Sequence, residues 1–411
     1  MNYLSLDFIQ TVAFGGLVLF VGYGIRKMLP WLASYNVPAP VIGGLIVAGV
    51  MLIGRTQNVE LASFDTRLQI PMMIAFFTTV GFGASLSLLK VGGPQVMIFF
   101  LLSTLLAVLQ NVVGIALAVP LGMHPLFGVL NGSVTLTGGP ATGLAFAPQF
   151  EQAGVSGAAT VAVAAAMVGI VSGGLIGGPI GTLLIERHRL RPPLREQHHV
   201  EPPIAAQIVE DQLNEPAGKA PSGEDKESYA LLKALVIILI AMWIGSGVSA
   251  WFTAVGITLP AYIGAMLTAA AIRNLDDLTG FFGLSQRVID DIGSVSLSLF
   301  LVLALMTLQL WQLAGLALPM LIILVLQVTL VAAACWPMFR LMGADYDAAV
   351  MSGGLCGFML GTTANAMASM ETIVDRYGPA PRAYLVVPMV GAFFIDFTNA
   401  LLITVCLNIL S

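Results

Sequence analysis

Two short stretches carry most of the polar chemistry of an otherwise apolar chain. The first is Asn131-Gly-Ser-Val-Thr-Leu-Thr-Gly-Gly-Pro-Ala-Thr-Gly143, and the second is Gly353-Gly-Leu-Cys-Gly-Phe-Met-Leu-Gly-Thr-Thr-Ala-Asn365. Gly132 and Gly139 recur at Gly354 and Gly361, at one displacement (354 − 132 = 361 − 139 = 222). Each stretch reads as a helix that stops and a second that starts. A starting helix aims unpaired N–H groups and a partial positive charge at the break. Gly138-Gly139-Pro140 suits such a start, because glycine admits a ligand close to the backbone and proline is tolerated at the first helical position. Gly361 followed by Thr362 and Thr363 does the same, with threonine as the cap. Such ends suit carboxylates. Ser133, Thr135, Thr137, Thr142, Thr362, Thr363 and Asn365 add hydroxyl and amide ligands. Close helix packing through glycine is the competing explanation. Two broken apolar segments at matching places in two halves favour a transporter's binding site.

A third group lies at Phe393-Phe-Ile-Asp-Phe-Thr-Asn399. Asp396 is an acid inside an apolar run, where an unpaired charge is costly. Asn399 is three residues on and shares its helix face. Carboxylate and amide oxygens there suit a hard cation such as sodium, with Asn365 and Ser298 as further ligands. A structural hydrogen bond to a neighbouring helix is the alternative. Gln110, Asn111, Ser294, Ser296, Thr78 and Thr79 are weaker candidates, since buried hydroxyls often bond the preceding turn. Asp290 and Asp291 read as a solvated helix start. No Lys or Arg falls within an apolar core, although Arg287, Arg376 and Arg382 stand near the ends of apolar runs. An anion would therefore meet helix ends, amides and a co-bound cation. Cys335, Cys356 and Cys406 have no metal spacing, and His124 stands alone. With no nucleophile beside a base and no cofactor motif, an enzyme is not expected.

These residues need elements to hold them. Hydrophobic residues make up 57% of 411 and charged residues 9%, against about 25% charged in soluble domains. The expected class is an all-α polytopic membrane protein. The N-terminus lacks a basic region and a cleavage pattern, so the first apolar run is expected to stay as a span. Apolar runs near 8–29, 38–54, 70–89, 95–120, 158–185, 229–253, 257–272, 292–313, 316–339 and 383–409 give ten candidate spans. The broken segments, about 126–149 and 347–370, are extra and read as re-entrant hairpins. Residues 1–186 and 229–411 form two five-span repeats. Between them, 187–228 is a polar linker with Pro192-Pro193 and Pro202-Pro203. Its histidines, His188, His198 and His199, read as solvated.

Five spans per half force the second half to insert upside down. With the N-terminus outside, only Arg55 and Arg67 of the 17 Lys and Arg residues fall outside; the other 15 fall inside (17 − 2). That excess sets the orientation, with both termini outside and the linker cytoplasmic. The first hairpin then enters from outside and the second from the cytoplasm. A further landmark agrees: Ile42-Gly43-Gly44 matches Ile263-Gly264-Ala265 (264 − 43 = 221).

Several runs resemble the bacterial glutamate:sodium symporter family. They are Gly132-Ser-Val-Thr-Leu-Thr-Gly-Gly139, Cys356-Gly-Phe358, Gly293-Ser-Val-Ser-Leu-Ser-Leu-Phe300, Leu316-Ala-Leu-Pro-Met320, Tyr346-Asp-Ala-Ala-Val350 and Leu385-Val-Val-Pro-Met-Val-Gly-Ala-Phe-Phe-Ile-Asp396. The resemblance implies sodium-coupled L-glutamate uptake across a bacterial inner membrane by a homodimer in a lipid bilayer, with sodium as coupling ion and no nucleic-acid partner. It also implies an elevator-like motion of a hairpin-bearing domain, as in the related 2-hydroxycarboxylate transporters. Aspartate or another small dicarboxylate, proton coupling through Asp396, and a channel stand as alternatives.

Overall fold

The computed structural model describes residues 4–59, 61–87, 93–191, 225–256 and 259–410. Most of the polar linker therefore lies outside the described residues, as do His198 and His199. Helices run α1 Phe8–Met28, α2 Pro30–Ser34, α3 Ala39–Thr56, α4 Gln69–Gly83, α5 Gly93–Ala118, α6 Pro125–Val129, α7 Gly139–Gln152 and α8 Ala158–His188. After the linker come α9 Lys226–Ala254, α10 Ala261–Thr279, α11 Gln286–Met306, α12 Ala317–Leu341, α13 Tyr346–Met359, α14 Thr363–Tyr377, α15 Pro381–Met389 and α16 Ile395–Leu410. One addition to the all-α expectation is a parallel pair, β1 Leu4–Leu6 with β2 Ala62–Phe64.

Local chemistry accounts for the starts. Asp7 accepts from the Gln10 N–H at 2.9 Å, while Gln10 accepts from the Asp7 N–H at 3.0 Å. This reciprocal cap satisfies two N–H groups that α1 leaves free. Asp225 begins α9 by accepting from Ser228 N at 3.1 Å, and Asp345 begins α13 by accepting from Ala348 N at 2.9 Å.

Among the described residues, seven helices are long and apolar enough to cross a membrane: α1, α3, α5, α8, α9, α11 and α12. The molecule is thus a polytopic membrane protein. The other three expected spans each depart for a physical reason. Helix α4 stops at Gly83, after 15 residues, short of the run's expected end at 89. Helix α10 begins at Ala261 and ends in charge, carrying Arg273, Asp276 and Asp277. The last run is split into α15 and α16 by a wide turn at Val390–Phe394, just past Pro388. The eighth run is also shifted: α11 spans 286–306 rather than 292–313. Asp290 and Asp291 are consequently inside the helix, in its second turn, and both are exposed.

The helices pack as two bodies. In one, α10 lies against α9 and α4, and α11 against α4, α3 and α1. In the other, α8 packs on α7, α13 and α14, while α12 joins α5, α8 and α13. Between the bodies the packing is thin, chiefly α11 on α7 and α4 on the turn at 390–394. The first body is built on backbone-to-backbone approach. A Cβ at Gly43 would stand 2.2 Å from the Val18 carbonyl oxygen, and one at Gly264 would stand 2.3 Å from that of Gly245. Only glycine permits this approach.

A buried polar cluster closes the α10–α11 connection. Asp276 accepts from the N–H groups of Phe282 (2.6 Å), Gly283 (3.0 Å) and Leu284 (3.0 Å). Arg273 pairs with Asp277 at 2.9 Å and donates to Gln286 at 3.3 Å.

Replacing Gly264 with Leu should separate α9 from α10 and cost at least the ~1–3 kcal/mol of an overpacked core. Gly247, on the same α9, has nothing within 4 Å of an added Cβ. Thermal unfolding of detergent-purified protein should drop by several degrees for G264L and stay within error for G247L.

Candidate functional site

The first broken segment begins where His124 Nδ1 accepts from the Leu126 N–H at 3.2 Å and starts α6. The helix then widens over Leu130–Val134, and Gly132 leaves helical geometry with φ −104° and ψ −127°. Asn111 crosses from α5 to accept from Ser133 N at 3.1 Å. Asn399 crosses from α16 to donate to Ser133 O at 2.9 Å. Helix α7 restarts at Gly139, whose φ of +67° belongs to the left-handed region that favours glycine. Pro140 takes the first turn, where its missing N–H costs nothing.

The second broken segment is more abrupt. Helix α13 ends at Met359, and α14 restarts at Thr363 with Thr362 as its cap. Thr362 Oγ1 accepts from Asn365 N at 3.3 Å. Asn365 in turn donates to Ile170 O of α8 at 2.8 Å. That carbonyl lies in a small-residue stretch of a 31-residue helix.

The two breaks meet. A Cβ at Gly139 would stand 3.4 Å from the Gly361 carbonyl oxygen. Thr137 Oγ1 lies 3.9 Å from Met359 Sδ, and these residues are also 222 apart. Gln110 joins them: its Oε1 accepts from Thr137 Oγ1 at 2.7 Å, and its Nε2 donates to Met359 O at 3.0 Å. Gln327 of α12 donates to Gln110 O at 2.6 Å and holds α5 in place. Gln110 is fully buried. One amide therefore uses its acceptor on the first break and its donor on the second.

Beside this junction lies a cavity of about 630 Å³. Of the sequence-selected residues, Thr137, Gly138, Gly139, Gly361, Thr362, Thr363, Ser298 and Asp396 line it. Ser133, Thr135, Thr142, Asn365 and Asn399 do not; they are buried behind the breaks. Thr135 bonds Leu130 O at 2.7 Å, and Thr142 packs beneath Gly138. The proposed cation ligands thus divide into two groups. Asp396 and Ser298 face the open cavity. Asn365 is buried in the first turn of α14 and Asn399 on α16, and each leaves its side-chain oxygen without a partner. Ser133 Oγ and Asn131 Oδ1 are likewise unpartnered and buried. Leaving a buried acceptor unmade costs about 1–3 kcal/mol, so four such oxygens in one region are informative.

Asp290 occupies a place that its sequence position did not indicate. It lines a side cavity of about 190 Å³ together with Thr79, Gly293, Ser294 and Asp396. Gln286 donates to it at 2.8 Å. Of the three arginines near span ends, Arg376 pairs with Glu186 at 3.1 Å and Arg382 pairs with Asp345. None of the three lines the main cavity, but Arg26 does. His188 packs on Trp336 and Phe339. Among the described residues no group of three or more His, Cys, Asp and Glu side chains is placed to hold a metal. The oxygens on offer are mostly neutral, which suits a weakly held monovalent cation better than a tightly chelated divalent one.

Fold and site together define a polytopic membrane protein with a cavity where two broken helices meet. The sequence profile of the family described as "Sodium/glutamate symporter" matches residues 4–379. The chain is 41% identical over 399 residues to a Haemophilus influenzae protein named sodium/glutamate symporter, covering 96% of each chain. It is 40% identical over 401 residues to the Escherichia coli protein of the same name, covering 97% of this chain and 96% of that one. The chain belongs to the sodium/glutamate symporter family, a family of transporters and not of enzymes.

Replacing Gln110 with Leu leaves Thr137 and Met359 O without partners, and each orphan costs about 1–3 kcal/mol. The Q110L protein should unfold several degrees below wild type, and Q110E, which keeps the acceptor, should fall between them. A Q110L melting curve that overlays wild type would show that the junction does not depend on this amide.

Proposed function

We propose that this chain is a sodium-coupled symporter that carries L-glutamate into the cell across a bacterial inner membrane. The observation that carries the reading is the convergence of both breaks on one cavity, with unpartnered oxygens buried behind it. A carboxylate of the substrate is bound by N–H groups at the starts of α14 and α7. Sodium is taken by the buried oxygens of Ser133, Asn365 and Asn399 and by Asp396 and Ser298 at the cavity wall. Family membership supports both the substrate and the coupling ion.

Coupling follows from shared geometry. The Asn399 amide nitrogen holds Ser133 O, and Asn365 is held by both its Thr362 cap and Ile170. A cation that completes either amide oxygen steadies the break beside it. Glutamate then meets donors that are already aimed, and it binds more tightly than to a mobile break. By reciprocity, bound glutamate tightens sodium by the same factor.

The two-body packing supports an elevator-like motion. The body of α5–α8 and α12–α16 carries both breaks and Asp396, while α1, α3, α4 and α9–α11, which add Ser298 to the cavity wall, form the scaffold on which a homodimer is built. The 15-to-2 charge asymmetry and the displacement of 222 support two inverted five-span repeats, with re-entrant breaks approaching from opposite sides and a cytoplasmic linker. The shorter helices α4 and α10, and the split α15–α16, complete the ten spans.

Reconstituted into liposomes, the protein should concentrate labelled glutamate only under an inward sodium gradient; uptake indifferent to sodium sinks the coupling. Removing either buried amide, as N399A or N365A, should raise the sodium concentration for half-maximal uptake about ten-fold, which corresponds to ~1.4 kcal/mol. Proton coupling through Asp396 predicts instead that D396N abolishes pH dependence and leaves sodium dependence intact.

A further inference from the structure

The cavity lining includes a cation, Arg26, that entered the topology argument only as one of the 15 Lys and Arg residues inside. Arg26 lies in the last turn of α1 and, with Tyr23, lines the same cavity as the broken segments. Among the described lining residues it is the sole Lys or Arg, and Asp396 is the sole acid. Arg376 and Arg382 are engaged with Glu186 and Asp345. Arg26, by contrast, has no hydrogen bond or ion pair within the described residues. Arg26 is partly buried and brings a positive charge to the cavity lining.

This pattern matches a ligand with two anionic ends and one cationic centre. The starts of α7 and α14 offer backbone N–H groups to one carboxylate. Asp396, assigned above to the sodium, also offers its negative charge to an ammonium in the same cavity. A second carboxylate is left for Arg26, whose planar fork takes both oxygens at once. We infer that Arg26 is the specificity-determining residue that reads the substrate's distal carboxylate and rejects its neutral amide. The inference rests on the glutamate reading above and adds the physical basis of selection.

The placement has a second consequence. Arg26 belongs to the scaffold, whereas the breaks belong to the other body. The substrate therefore bridges the two bodies only when they stand as they do here, and the contact is released when the site moves away. A selectivity filter placed this way acts on one side of the membrane.

The test is competition binding on the purified full-length protein at saturating sodium, with glutamate and glutamine as competing ligands. In Arg26→Gln the affinity for glutamate should fall about ten-fold or more, as expected for loss of a charge-assisted bidentate pair, with glutamine within two-fold of wild type. Arg26→Lys keeps the charge without the fork and should recover part of the preference. Stabilisation of each variant by sodium alone, read as a thermal shift, reports that the fold and the cation site are intact. Glutamate affinity within two-fold of wild type in R26Q overturns the inference, as does an equal loss for both ligands. If wild type prefers aspartate, the glutamate assignment falls, and the Arg26 claim is decided on aspartate against asparagine. If wild type binds no dicarboxylate, both fall.

Discussion

Backbone that leaves helical geometry within an apolar layer must find its hydrogen bonds inside the protein, because hydrocarbon offers none. Everything distinctive about this molecule answers that constraint at two places. At Leu130–Val134 the answer comes from Asn111 and Asn399, which reach in from α5 and α16 to hold the N–H and the carbonyl of Ser133. At Leu360–Thr362 it comes from a threonine cap and from Asn365. Gln110 then ties the two repairs together. Asn399 and Asn365 leave their acceptor oxygens bare, so two of the groups that repair the breaks are also among those proposed to take the cation.

The two bodies answer a different demand. A scaffold has to be rigid, and α1 with α3 and α9 with α10 cross through glycine at van der Waals contact. Dispersion at that distance, more than any polar bond, holds helices together in lipid. The site-bearing body is richer in buried amides and hydroxyls. Packing between the bodies is thin, as the proposed elevator-like motion requires.

Much of this was legible in the chain. Gly138-Gly139-Pro140 and Gly361-Thr362 announced the restarts because glycine and proline have few other uses inside apolar helices. The family resemblance rested on the same runs and agrees with the profile match. Long-range partnerships were not legible. Gln110 meets a backbone carbonyl 249 residues away, and no pattern of residue types signals a bond to a carbonyl. Arg26 was counted as a topology signal because a charge at a helix end looks solvated whichever way it turns. Asp290 is exposed near the start of α11 as expected, but its place beside a side cavity was hidden for a simpler reason: α11 begins six residues before the apolar run does, so polar residues fell inside a helix that hydropathy alone started late. The shortness of α4 was hidden in the same way, by apolar residues that continue past its last turn.

The central claim is that sodium and glutamate share the place where the two breaks meet. Ala364 lines that cavity just past the Thr362 cap, and cysteine there is a small change. With half-buried Cys406 replaced by serine and Cys335 and Cys356 buried, the direct measurement is the alkylation rate of A364C with sodium, with glutamate, and with both. The account predicts that the two together slow labelling far more than either alone. A rate unchanged by both ligands together would contradict it.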